Sequence, residues 1–383
     1  MASYRFTYRI VIVYLATAYL MSGSAAARKA KEARTFIDSY MFGYSPRSAA
    51  MGFCGVNLVD GRSSFHNPAA MGLYHINNDF SATWVGYPKF NYPYDRLYNF
   101  GMSARIPYIS DYLYRGDRFK TALSVGYSLS RLDYRPWGEP EYIWFDRSSY
   151  YSVGIGFEYF VKLGFGYMYN DVKTTLRSSF PEYYGTRVES SARDYGLIIE
   201  LPVIEVLADL TGKDLSYEEF NFELAPSFAY VWSNIGGNQP IADRYDNVGI
   251  SIQGKMKLGE VLLTSMLVLT EKENYKGGYY YGGYNITKYG YELSFGGFYF
   301  LRSGDYINEF LYFDFEGHTG GFGFSFNGIS NWLYYLDIIE DKGRISDWIL
   351  KNIDITYDVS NFDWGPGIGS YPRDDVFNIG ISF

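Results

Sequence analysis

Apolar and polar side chains alternate with period two along much of the chain. Phe377, Ile379, Ile381 and Phe383 share one face, and Asn378, Gly380 and Ser382 share the other. Tyr151, Val153, Ile155, Phe157 and Tyr159 alternate with Ser152, Gly154, Gly156 and Glu158. Leu163, Phe165, Tyr167 and Tyr169 alternate with Gly164, Gly166, Met168 and Asn170. The same holds for Leu123 to Ser130 and for Lys288 to Phe295. Period two marks a strand whose two faces meet different surroundings. A half-buried strand in a soluble sheet shows it too, so one such segment decides little. Many of them, with Tyr and Phe on one face and Gly and Ser on the other, fit strands with lipid outside and a filled interior.

Counting these segments gives about fourteen strands. They start near Asp79, Arg96, Phe119, Tyr150, Val161, Ala192, Phe220, Tyr245, Val261, Ile286, Ile307, Gly320, Asn352 and Val376. Tight turns are expected around Phe160 to Lys162, Leu258 to Glu260 and Arg302 to Asp305, with both ends of the barrel on that same side. The alternate links are longer: Asp133 to Ser149, Asp171 to Ser191 and Tyr275 to Asn285. Short turns on one side and long loops on the other are typical of bacterial outer-membrane barrels. Tyr108 to Asp117 is a longer link on the turn side. Pro202 to Glu219 and Ile329 to Ile349 carry helical spacing, which predicts short helices at the periplasmic mouth or on the inner leaflet, or a docking helix for a partner. The expected fold is all-β: a transmembrane antiparallel up-and-down barrel with a plug before it.

The N-terminus agrees with export. Arg5 and Arg9 precede the apolar run Ile10 to Met21, and small residues follow to Ala27. That is a secretory signal pattern, so residues 1–27 are expected to be a signal peptide, 28–78 a plug segment and 79–383 the barrel. The chain has 42 Tyr, 29 Phe and 41 Gly, and a mean hydropathy of only −0.18. Past the signal no apolar run reaches the roughly 20 residues of a membrane helix. Amphipathic rings at two lipid interfaces account for the tyrosines. A net charge of −8 argues against a nucleic-acid partner. The single cysteine, Cys54, excludes an internal disulfide.

Little points to catalysis. There are three histidines. His66 sits beside Asn67 and Pro68 off any strand, which suits a hydrogen bond within the plug better than a hydrolytic triad. No metal or cofactor is expected. Alternation turns Glu158, Glu200, Glu223, Glu292, Asp314, Glu316, Asp354, Asp358, Arg105, Lys255, Lys257 and Lys288 inward. Charges of both signs predict ion pairs among themselves and to the plug, with Arg47 the plug's contribution. The strand Val261 to Thr270 is apolar on both faces, which fits either plug packing or an acyl-chain site. Tyr279, Tyr280, Tyr281 and Tyr284 on a glycine-rich outer loop are candidate partner or ligand contacts.

The segment Ser45 to Gly72 is small and turn-prone, with Gly52, Gly55, Gly61 and Asn67-Pro68. It resembles the start of the FadL long-chain fatty-acid transporter superfamily, in which Arg47, Met51, Gly52, Gly55, Asp60, Asn67, Pro68 and Ala69 fill the shared pattern. Phe65 to Met71 is most similar to the PorV/PorQ group. Phe53 and Cys54 depart from the pattern, standing where it has Gly and a small residue. The terminal Phe383 resembles the signal read by the outer-membrane barrel assembly machinery. The resemblance implies an outer-membrane protein, not an enzyme, with a plugged barrel. It implies a role in type IX secretion, binding exported cargo or secretion components. The alternative is uptake of hydrophobic small molecules such as long-chain fatty acids.

Overall fold

The computed structural model describes residues 45–60, 65–90, 95–106, 119–134, 143–177, 186–212, 219–235, 244–259, 261–276, 285–310, 313–339, 348–349, 353–363 and 376–382. The expected signal peptide, the link from Tyr108 to Asp117, the loop tyrosines Tyr279, Tyr280, Tyr281 and Tyr284, and Phe383 lie outside these residues.

The protein is all-β with four short helices among the described residues. Helices α1 (Pro46–Ala49) and α2 (Pro68–Tyr74) come first. The strands are β1 (Phe80–Phe90), β2 (Asp95–Arg105), β3 (Lys120–Tyr134), β4 (Ile143–Glu158), β5 (Lys162–Arg177) and β6 (Thr186–Glu200). After helix α3 (Val203–Thr211) come β7 (Phe220–Ile235), β8 (Tyr245–Leu258), β9 (Val261–Tyr275), β10 (Asn285–Phe295), β11 (Tyr299–Phe310) and β12 (Phe313–Ser325). Helix α4 (Phe326–Tyr335) precedes β13 (Asp354–Asp363) and β14 (Val376–Ser382). Every strand pairs antiparallel with its chain neighbours, and β14 pairs back onto β1, Ser382 opposite Ser81, closing the sheet into a barrel. Ladder pairing all round leaves no strand edge, the condition for a sheet to exist where water cannot satisfy backbone groups.

The alternation sorts the two faces. Tyr151, Val153, Ile155, Phe165, Phe228, Ile250, Ile252, Leu301 and Phe322 are exposed outside, whereas Ser124, Ser152, Ile198, Ser294 and Ser360 are buried inside. Aromatic rings neighbour one another across strands on the outer face, as in Tyr127, Tyr151 and Tyr169.

Two expectations change. No turn forms at Arg302 to Asp305 and no strand starts at Ile307; β11 runs through these residues. The turn is at Gly296 and Gly297, at φ 63° and 70°. Such left-handed backbone suits glycine, so these residues make the turn while the polar run Arg302 to Asp305 stays extended. Glu316 does not point inward. It is exposed on the face of Phe322 and Phe324, because Gly317, Thr319 and Gly323 occupy the inner positions of β12. The strands also reach further toward the loop side than expected: β4 from Ile143, β6 from Thr186 and β9 to Tyr275. The helical spacings form α3 and α4 on the turn side.

Candidate functional site: the inner segment and its seat

Residues 45–60 and 65–79 run across the inside of the sheet. Their turns are made by special backbone. Gly52 and Phe53 both lie in the left-handed region, at φ 65° and 62°, and the Phe53 ring meets Tyr306 edge-on at 5.4 Å. Gly55 has the imidazole of His66 where a Cβ would stand. Asn67 caps α2: its Oδ1 accepts from Ala69 N at 3.0 Å, and its Nδ2 donates to Val56 O at 2.9 Å and Leu197 O at 3.3 Å. Pro68, lacking an N–H, fills the first helical position, where none is needed. Asn67 and Pro68 thus start a helix and tie it to β6.

The wall accepts this segment through glycine. At Gly154 a Cβ would stand 2.6 Å from Gly72 N, and at Gly290 2.8 Å from Met51 O. At Gly166, Gly196, Gly249 and Gly304 it would run into Pro68, Asn67, Asn57 and Gly52. The segment therefore lies directly on strand backbone at several points around the ring. Apolar packing fills the seams. Val56, Ala69, Ala70, Leu73 and Ile76 pack with Ala122, Ile198, Ala229 and Val231. Met51, Cys54 and Leu58 pack with Leu267 and Leu269 of β9. The inward leucines of β9 thus pack the segment.

Ion pairs cross the seam. Arg47 donates to Glu292 Oε1 at 2.8 Å and Oε2 at 2.9 Å, and to Asp60 at 3.0 Å. Burial opposes the Arg47 charge, but Glu292 and Asp60 outweigh it and hold the guanidinium above its usual range. Glu292 also accepts from Arg302 at 2.7 Å, and Arg302 reaches Asp358 at 2.6 Å. Gly323 makes room for that reach, since a Cβ there would meet both side chains. A second cluster adjoins it on β8, β9 and β10. Glu271 Oε2 accepts from the consecutive backbone N–H groups of Gly55 at 2.7 Å and Val56 at 3.0 Å. Asn247 and Lys288 bind its other oxygen, and Lys288 pairs with Glu273 as well. Successive amides wrapped round a carboxylate form an anion nest.

Sequence reasoning missed Glu271, Glu273 and Arg302. The first two continue the alternation of Leu267 and Leu269 past the expected strand end; Arg302 was hidden by its turn-like neighbours. Lys162 with Glu200, and Glu223 with Lys255 and Lys257, pair along the wall near the turn side without touching the segment.

The histidines and the cysteine of the inner segment are buried or half-buried, and hydrogen-bonded or packed. His66 Nε2 lies 3.1 Å from Ser48 Oγ, and Ser45 O, 3.0 Å from the same hydroxyl, competes with the imidazole for its proton. Burial pushes the His66 pKa down to about 4. His75 is buried between Asn78 O and Ser103 Oγ, and burial lowers its pKa too. Burial pushes the Cys54 thiol up, and Glu271 adds to the effect. Among the described residues no three His, Cys, Asp or Glu side chains converge as a metal site.

No family model matches the chain, and no curated protein does. Solved structures do. A FadL homologue from Pseudomonas aeruginosa matches at TM-score 0.43 and 10% identity, over 93% of this chain and 99% of that one. The toluene transporter TbuX of Ralstonia pickettii matches at 0.41 and 10%, over 89% and 97%. The CymD monoaromatic hydrocarbon channel matches at 0.40 and 12%, over 89% and 97%. At these scores and identities the likeness carries neither a role nor a substrate over to this chain.

Proposed function

We propose that the chain is an outer-membrane barrel, plugged by its own N-terminal segment, that passes small hydrophobic molecules. The observation that carries the reading is the seam inside the ring. Met51, Cys54 and Leu58 meet Leu267 and Leu269 there, while the Arg47–Glu292 pair fastens the same segment beside them. An apolar seam closed by a polar latch suits a route that opens to apolar cargo and stays shut to ions. The outer face supports the membrane assignment, with Tyr, Phe and aliphatic residues exposed along β3 to β6. In this reading the tight turns face the periplasm and the loops face outward. The secretion-associated role implied by Phe65 to Met71 gains no observation from the fold.

The test is uptake. The full chain, produced in a two-membrane bacterium lacking its own channel for such molecules, should restore growth on oleate or toluene. Normal insertion in the outer membrane without any rescue would sink the reading. In that case, recovery of exported proteins bound to the native barrel would point to secretion.

A further inference from the structure

Three adjacent strands carry cations in register on the outer face near the loop side. Register places Arg131 of β3 opposite Arg147 of β4, and Arg147 opposite Lys173 of β5. Nearer the turn side, Tyr127, Tyr151 and Tyr169 stand in register, and Arg193 of β6 extends their row. Arg131, Arg147 and Arg193 are exposed, and Lys173 is 39% exposed. Lys173 also pairs with Asp171 at 3.3 Å, and Glu189 of β6 stands opposite it in register.

We propose that this row binds the phosphate groups of outer-leaflet lipid headgroups. The inference rests on the outer-membrane reading above. Arg131 and Arg147 face each other across the β3–β4 ladder, with Lys173 next in the row and Asp171 paired to it. Their height places them for a lipid headgroup. From Tyr159, just past the end of β4, to Arg147 the chain climbs about 30 Å, at roughly 3.3 Å per residue and a tilt near 40°. The apolar band of such a barrel is about 25 Å tall. The tyrosine row therefore sits at the top of the band, where rings settle, and the cations stand just above it, at headgroup level. Arginine pairs with phosphate in bidentate fashion, and neighbouring arginines on adjacent strands can grip one phosphate from two sides. The occupant is a phosphorylated lipid and not free phosphate, because Tyr127, Tyr151 and Tyr169 directly below offer a surface for acyl chains.

Native mass spectrometry of the full-length protein tests this, with bisphosphorylated lipid A as the probe and the same lipid stripped of phosphate as its pair. The wild type should bind the phosphorylated form at least tenfold more tightly. Arg131→Gln/Arg147→Gln/Lys173→Gln should erase that preference, and Lys272→Gln, an exposed cation on β9, should keep it. Arg147→Gln alone should lose several-fold if the triple variant fails to assemble. Equal binding of both lipids, an unaltered preference in an assembled triple variant, or displacement by equimolar inorganic phosphate would each overturn the site. Fractionation separates this from failure of the broader reading: only recovery of the wild type outside the outer membrane would remove both.

Discussion

Phe53 holds a backbone conformation that glycine would adopt without strain, at φ 62°. Its ring repays this by meeting Tyr306. A non-glycine residue in the left-handed region costs about 1 kcal/mol, and an aromatic pair returns a similar amount. Phe53→Gly should therefore change stability by less than about 1 kcal/mol, measured as the shift in the heat-induced mobility change on gels. Gly52→Ala should cost well over that, because its Cβ would collide with the backbone of Asp305 and Tyr289. Glu292 is a different case. It is 3% exposed and serves both Arg47 and Arg302. Removing one partner of a buried pair costs about 3–5 kcal/mol, so Glu292→Gln should release the segment and raise single-channel conductance in planar bilayers. Wild-type conductance in that variant would refute the latch. His66 gives the latch a pH dependence. Its docked pKa is about 4 against a usual 6.5, with Glu271, Lys288 and Asp60 the charges nearby. Below pH 6.5 the released imidazole takes up a proton that the docked one refuses, so docking weakens as pH falls toward about 4. Conductance should rise over that interval in the wild type and less in His66→Gln.

At the scale of elements, α2 and the strands beneath it depend on each other. Asn67 gives α2 its cap and reaches Val56 and Leu197 with the same side chain. Asn67→Ala should cost about 1 kcal/mol for the cap alone, and more once those carbonyl partners are lost. The glycines of β4, β5 and β6 play the converse part. Gly166→Val should leave β5 paired, since strands tolerate valine well, but should block the seat of Pro68 and Ala69. The expected result is a barrel that still shifts on heating while residues 45–78 become open to protease. Continued protection would show that the seat is not where the glycines place it.

For the whole molecule, two layers act on different surfaces. The ring is held by continuous antiparallel ladders, and its outer face exposes aromatic and aliphatic side chains. The inner segment is held by a few ion pairs, an anion nest and apolar seams on both sides of the ring. Removing residues 45–78 should therefore spare assembly and open a large, steady conductance. If the shortened chain stayed closed, closure would have to come from elsewhere.

The sequence by itself determined which residues face out and which face in, as at Tyr151 to Tyr159, because alternation is a local property of an extended chain. It also marked the segment with Arg47, Asn67 and Pro68 as something other than a strand, through turn-forming residues and the missing aromatic face. Strand ends were not legible. Alternation says nothing of where pairing stops, so the pattern alone leaves Glu271 and Glu273 beyond β9, and Arg302 in a turn. Only the tertiary structure decided these. The turn at Gly296 and Gly297 sets the register that puts Arg302 opposite Glu292, and Gly323 opens the way to Asp358. One partner of Arg47 is equally non-local: Glu292, 245 positions along the chain, meets it only because the sheet folds round the segment.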